Sequence, residues 1–516
     1  MSFMNAIANE LNNEKQLTEN GAVGYRTTGK KLLDLNFGVA SMRSASEQAI
    51  INKFMGAYYE NPVLAVKWLF YVRDVREGLG ERRFFRTVFK QLATDKPEVI
   101  HTVFGFVPEY GRYDDLWCLL DTDLKDDVIS KVRIWLTDDM ANMVNNKSIS
   151  LLSKWLPSEN TSSATTKRYA TMIRKGLNMT SRSYRKTLSQ MRQYIDVVER
   201  KMSAREWAGI NYETVPSRAN LIYNNAFLRN DEERRRAYLG ALEKGEAKIN
   251  AGTLFPHDIV HKYNSSYGVD TALEGMWKAL PDTVKGCGNT IVVADGSGSM
   301  TCNIGGNTRV TALDVANSLA IYFAERSSGE FKDKYITFSE RPQLVDFSNA
   351  RTLRDKLSIA RRHNEVANTN IEAVFDLILS TAVNNRMTQE DMPANILIVS
   401  DMEFDACTTS GTPTMSRWGG YYSTYQRPTT TLFDTIAKKY AAHGYKLPRL
   451  VFWNVNSRTG TIPVKENDLG VALVSGFSVN IVNMVMSNKL DPFECLLDVL
   501  NTERYQPIEN AIKDIC

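Results

Sequence analysis

The chain contains no run of about 18 apolar residues, the length a membrane-spanning helix requires, so no span is expected. Its first residues, Met1-Ser2-Phe3-Met4-Asn5, lack the basic start and apolar stretch of a secretory signal. Cysteine is scarce and scattered: Cys118, Cys287, Cys302, Cys407, Cys495 and Cys516 form no Cys-x-x-Cys pair. That argues against a disulfide scaffold or a zinc ribbon and points to a reducing cytoplasm. His257 and His261 stand four apart, but no glutamate of a zinc-protease motif accompanies them. There is no Walker loop, no nucleophile elbow and no evident pair of general acid and base, so a binding protein is expected rather than an enzyme. The one catalytic route left open is water activation at a bound metal.

Net charge is also low, +4 from 63 basic and 59 acidic residues, but its distribution is uneven. Residues 1–285 sum to +7 and residues 286–516 to −3. The window 161–200 alone is +7: Lys167, Arg168, Arg174, Lys175, Arg182, Arg185, Lys186, Arg192 and Arg200 against Asp196 and Glu199. Clustering of this kind suits a phosphate backbone, and a solvated helix face is the bland alternative.

At 516 residues the chain is too long for one core, so two or three domains are expected. From about 45 to 250 apolar residues recur at helical spacing, as in Val63, Val66, Leu69, Phe70 and Val72. The pattern predicts helices over Ser46–Glu60, Pro62–Arg76, Glu81–Ala93, Leu124–Asn145 and Tyr184–Met202. Short links between many helices suggest an all-α domain, with a solenoid of helix pairs as one form, although no clean sequence period is present. Near Gly286-Cys287-Gly288 the character changes. Apolar, β-rich runs appear at Thr290–Ala294, Tyr335–Phe338, Ile396–Val399, Leu450–Trp453 and Val471–Val474, alternating with amphipathic stretches at Thr311–Glu325, Ile371–Val383 and Thr431–Ala442. Strands apolar on both faces with helices between them predict a doubly wound, mostly parallel sheet. The expected division is therefore 1–285 helical and 286–516 α/β.

The first of these runs ends in Asp295-Gly296-Ser297-Gly298-Ser299. One carboxylate and two hydroxyls on a tight loop at a strand's C-terminal end form a hard-oxygen donor set suited to Mg²⁺, Mn²⁺ or Ca²⁺. Thr369 precedes the helix Ile371–Val383, and Asp401 ends the strand that follows that helix. Together these residues resemble the metal-ion-dependent adhesion site of von Willebrand factor A domains. The resemblance implies Ser297, Ser299 and Thr369 as direct ligands, and Asp295 and Asp401 as ligands directly or through water. It also implies one open position for a partner's carboxylate. Asn368 stands before Thr369, where a glycine is commoner in that family.

After Asp401, residues 408–430 are rich in Gly, Ser, Thr and Tyr and carry Arg417, Trp418, Tyr421, Tyr422, Tyr425 and Arg427. A long loop with its own aromatics either grips a partner or stacks on bases, or packs on itself as an Ω-loop.

Further segments extend the resemblance along the chain: Thr18-Glu19-Asn20-Gly21-Ala22 with Gly24-Tyr25, and Leu33-Asp34-Leu35-Asn36-Phe37. To these are added Arg73-Asp74 through Gly78-Leu79-Gly80-Glu81-Arg82, Tyr110-Gly111-Arg112-Tyr113-Asp114-Asp115-Leu116, and Lys154-Trp155-Leu156-Pro157-Ser158. They resemble a family of unknown function found in viruses, bacteria and plants, itself similar to the Ro autoantigen (TROVE) proteins. That resemblance implies HEAT-like helical repeats, in Ro a ring, followed by the A domain, and RNA as partner. The seven residues nominated for RNA phosphates are Lys167, Arg168, Arg174, Lys175, Arg182, Arg185 and Lys186. The Gly80-Glu81-Arg82 and Asp114-Asp115 pieces are read instead as helix capping and interhelix ion pairs. Two functions remain in view: an RNA-binding Ro-like scaffold, and a metal-dependent protein-interaction module that binds no RNA.

Overall fold

The computed structural model describes Met4 and residues 15–266, 268–284, 289–305, 309–365, 369–405, 432–463, 471–479 and 491–516. The loop residues Arg417, Trp418, Tyr421, Tyr422, Tyr425 and Arg427 lie outside the described residues. The chain forms two compact units. One comprises Met1–Ser46, Phe255–Val269 and Asp282–Val499, and the other Glu47–Leu254, Asp270–Pro281 and Leu500–Cys516. A boundary near 286 therefore describes only one of the crossings. The first 46 residues join the sheet-bearing unit, and the C-terminal residues from Leu500 onward join the helical one.

Among the described residues the sheet unit is built on six strands: β3 (Thr290–Asp295), β4 (Lys334–Phe338), β5 (Gln343–Asp346), β6 (Asn395–Ser400), β7 (Arg449–Asn454) and β8 (Val471–Ser475). The lower numbers, β1 (Lys15–Leu17) and β2 (Val23–Tyr25), belong to a separate antiparallel hairpin. The order across the sheet is β5-β4-β3-β6-β7-β8. Only β5 runs antiparallel, at the edge beside β4, so the sheet is mixed but mostly parallel. Each of the five expected apolar runs is a strand, and nearly every residue in them is buried, as strands covered by helices on both faces must be.

Helices fall where the amphipathic stretches predict them. Ala312–Arg326 starts at Thr311, whose hydroxyl accepts the Asp314 N–H at 3.1 Å while the Asp314 carboxylate accepts the Thr311 N–H at 3.2 Å. This helix lays Phe323 edge-on to Trp453 of β7, with ring centroids 5.8 Å apart. Helix Ile371–Asn384 is capped by Asn370, and Leu432–Ala442 packs Phe433 on Phe452 at 4.6 Å.

The helical unit is centred on aromatic rings and buried ion pairs. Phe70 meets Phe85, Phe89 and Tyr110 edge-on, and Tyr505 stacks on Tyr110. Asp115 is fully buried and receives Arg73 (Nε, 2.7 Å), Arg86 (Nε, 2.7 Å) and the backbone N–H of Arg112 (3.0 Å). Arg112 in turn pairs with Asp114 and lies over the Trp155 ring at 3.9 Å. Gly111 is required there, since a Cβ would sit 2.6 Å from the Asp115 carboxylate and 2.9 Å from Arg73 Nε. The Tyr-Gly-Arg-x-Asp-Asp segment thus packs helices, as the ion-pair interpretation expects. The single helix expected over Tyr184–Met202 is instead two, Ser181–Tyr194 and Val198–Ser203. Asp196 between them takes a left-handed φ of 53°, which ends the first helix. Among the described residues no helix is long and apolar enough to cross a membrane.

Candidate metal centre

The strand order reverses between β3 and β6. β3 comes first in the sheet, β4 and β5 add on one side, and β6 to β8 add on the other. In open α/β sheets the crevice beyond the carboxyl ends of two such strands is where ligands bind, because the loops leaving them part in opposite directions. Asp295 is the last residue of β3, and Asp401 follows the last residue of β6. Both are almost wholly buried, as are Ser297 and Thr369, while Ser299 is half-buried.

The loop geometry follows from short polar side chains satisfying the backbone. Asp295 Oδ1 accepts the Ser297 N–H at 2.9 Å, and Asp295 Oδ2 accepts the Ser400 hydroxyl at 2.6 Å, tying the ends of β3 and β6 together. The Ser297 and Ser299 hydroxyls lie 3.0 Å apart. Ser299 also hydrogen-bonds the Asp401 carboxylate, whose Oδ1 accepts the Glu403 N–H at 3.3 Å. Between them Met402, buried, is held at φ 63°, a conformation that non-glycine residues adopt at a cost of order 1 kcal/mol and that clusters at functional sites. Thr369 is placed by its carbonyl, which accepts the Asp405 N–H at 2.9 Å.

Two carboxylates buried side by side disfavour ionisation. Burial, then the charge of Asp295, pushes Asp401 up to about 7. Burial likewise raises Asp295, against the hydrogen bonds from Ser297 and Ser400. A cation placed between two such carboxylates would relieve their repulsion. The Asp295 and Asp401 carboxylates with the Ser297 and Ser299 hydroxyls are a donor set of the kind a hard divalent ion takes, while the Thr369 hydroxyl accepts from the Asn20 amide at 3.2 Å. Asn364 Oδ1 adds a buried acceptor with no donor among the described residues. It lies beside Gly296, where a Cβ would come within 3.3 Å of it.

The geometry brings in residues that the motif did not nominate. Ser400 bridges the two strands. Glu403, fully buried, accepts the backbone N–H groups of Arg458 (2.8 Å), Thr459 (2.9 Å) and Glu19 (2.8 Å). Asn20 donates its amide to Thr369 Oγ1 at 3.2 Å and to the Glu403 carbonyl at 2.7 Å. The Thr-Glu-Asn-Gly-Ala segment, met in sequence as part of the helical region, is therefore part of this site. No local pattern announces it, because its partners lie about 350 to 440 residues away in sequence.

In the helical unit the nominated basic residues fall on Ala164–Gly176 and Ser181–Tyr194. Arg168 is held bidentately by Asp121 at 2.5 and 2.8 Å, and Arg174 by Glu159 at 2.8 Å. Their charges are largely neutralised, which the linear count did not show. Lys167, Lys175, Arg182, Arg185 and Lys186 are exposed and make no ion pair among the described residues. Arg192, from the same window, is structural: it donates to the carbonyls of Ser153 and Leu156, each at 2.8 Å, and to Ser158 Oγ at 2.9 Å.

Two family models match, each over a little over two-fifths of the chain. A domain of unknown function (DUF2828) matches residues 18–104 and 160–289, and a second (DUF7788) matches 289–507. The chain is 29% identical over 531 aligned positions to the uncharacterized protein L728 of Acanthamoeba polyphaga mimivirus, covering 95% of this chain and 88% of that protein. Among solved structures it aligns with the Ro (RSR) protein of Deinococcus radiodurans at 11% identity and a TM-score of 0.32, over 92% of this chain and 93% of the other.

Proposed function

We propose that this chain is a non-catalytic binding scaffold with a metal-dependent adhesion site in its sheet unit and an RNA-binding surface in its helical unit. The observation that carries the first part is the meeting of Asp295, Ser297, Ser299 and Asp401 at the point where the strand order reverses. Ser297, Ser299 and Thr369 would hold Mg²⁺, or Mn²⁺ or Ca²⁺ in its place, with Asp295 and Asp401 ligating directly or through water. The bound ion would supply a Lewis-acidic point for an acidic group of a protein partner. Titration calorimetry with Mn²⁺ tests this: binding is expected in the wild type and lost in Asp295→Ala.

For RNA, the supporting observation is that five exposed cations on two consecutive helices make no ion pair among the described residues. Phosphate binding of this kind makes affinity fall steeply with salt. Filter binding to structured and single-stranded RNA at two salt concentrations is the test, and no binding at low salt removes RNA from the proposal. A HEAT-like ring, as the Ro resemblance implies, belongs to the same proposal and is tested by electron microscopy of the full chain. The second reading, a metal-dependent protein-interaction module without RNA, is favoured by the neutralisation of Arg168 and Arg174. A partner lost with EDTA but retained after RNase supports it. The proposed location for either is the cytoplasm, that of the host if the source is viral.

A further inference from the structure

The segment Thr18–Ala22 is fixed against the end of β6 residue by residue. Thr18 Oγ1 donates to the Phe404 carbonyl at 2.5 Å, the Glu19 N–H to Glu403 Oε2 at 2.8 Å, and the Asn20 amide to the Glu403 carbonyl at 2.7 Å. Gly21 pairs with Asp405, and the Ala22 N–H returns to the Phe404 carbonyl at 3.3 Å. With the backbone held this way, the Glu19 carboxylate stays half exposed (52%). It lies 2.6 Å from an Arg458 nitrogen, and the same nitrogen is 3.5 Å from Asp401 Oδ2. The Glu19 and Asp401 oxygens are thus within about 6 Å of each other, with a guanidinium between them. Arg458 is itself anchored, its N–H donating to Glu403, the residue that anchors Glu19.

A cation bridging a buried and a half-exposed carboxylate does electrostatically what a divalent ion would do there with more charge and closer approach. We infer that Glu19 is the built-in carboxylate ligand for the open position of the candidate metal site, and that Arg458 takes the ion's place between Glu19 and Asp401 when metal is absent. This rests on the metal-site reading above. It makes the site self-ligated: an acidic segment of a partner competes with Glu19 and does not enter a vacant position.

The test is Mn²⁺ binding to the full-length chain, by calorimetry for affinity and by water-proton relaxation for the number of metal-bound waters. Glu19→Gln, at a half-exposed position, is expected to weaken Mn²⁺ binding about tenfold, because ligand charge sets affinity at such sites. It should also add one exchangeable water to the ion. Arg458→Ala, which removes the competing cation, is expected to tighten Mn²⁺ binding. Circular dichroism of both variants reports folding. If the wild type binds Mn²⁺ in an Asp295-dependent manner while Glu19→Gln changes neither affinity nor water count, Glu19 is only an ion-pair partner and this inference alone is overturned. If the wild type binds no Mn²⁺, or binds it without dependence on Asp295, the metal-site reading falls and this inference falls with it.

Discussion

Asp401 makes the clearest pH prediction. Its acid is held neutral in the folded protein up to about 7, against 3.8 ordinarily, so between these values the folded state binds more protons than the unfolded one. Its contribution to stability is complete below about 4 and is lost as pH rises through about 7. In EDTA, denaturant midpoints of the sheet unit should fall over that interval, the fall should be smaller in Asp401→Asn, and Mg²⁺ should reverse it at neutral pH. A midpoint that rises with pH in EDTA would sink this account. Asp115 is buried between the Arg73 and Arg86 guanidinium groups. Removing one partner of a buried pair leaves the other charge uncompensated, so Asp115→Ala is expected to cost about 3–5 kcal/mol in denaturant unfolding. A cost under about 1 kcal/mol would show that water reaches the arginines.

At the scale of elements, the hairpin of β1 and β2 depends on close approach. A Cβ at Gly24 would lie 2.5 Å from Thr461 Cγ2 and 2.7 Å from the Ile462 carbonyl, and the neighbouring Tyr25 exchanges backbone hydrogen bonds with Ile462 at 2.7 and 2.9 Å. Gly24→Ala should therefore detach this hairpin and make residues 15–25 more susceptible to limited proteolysis than in the wild type. On the helices Ala164–Gly176 and Ser181–Tyr194, the combined change Arg182→Glu, Arg185→Glu, Lys186→Glu should lower RNA affinity and flatten its salt dependence. The log–log slope should shrink by about 0.7 for each single-strand phosphate that is no longer neutralised. Arg168→Ala should change little, since Asp121 already holds that charge. These elements also show what was legible in sequence. Strands β3, β4, β6, β7 and β8 were, because burial on both faces leaves an unbroken apolar run. The edge strand β5 was not, since its side chains at Gln343, Leu344 and Asp346 are partly or fully exposed and carry no such run. The loop that ends β3 was visible because Asp295, Ser297 and Ser299 fall within five residues. Glu19, Asn20, Glu403 and Arg458 were not, because only the folded chain brings them together. The pairing of Arg168 with Asp121 was hidden for the same reason, across 47 residues.

For the molecule as a whole, ligand linkage gives a separate handle on each unit. A metal that binds only the folded sheet unit, as proposed above, would stabilise it by about 2.7 kcal/mol at one hundred times the dissociation constant. Differential scanning calorimetry with Mg²⁺ should therefore raise the transition of the sheet unit, and Asp295→Ala should abolish that rise. The dispersed make-up of this unit has a consequence for its birth on the ribosome. The hairpin segment, from Lys15, waits for Glu403 and Ile462 before it can dock. Synthesis at roughly 5–20 residues per second leaves that segment without its native partners for on the order of tens of seconds. Its acidic, Asn- and Gly-bearing sequence, Thr18-Glu19-Asn20-Gly21-Ala22, is polar enough to stay in water during that wait without seeding aggregation. Docking of this segment is thus deferred until Ile462 has been made, so truncations that end before about residue 463 should yield a chain in which residues 15–25 never dock.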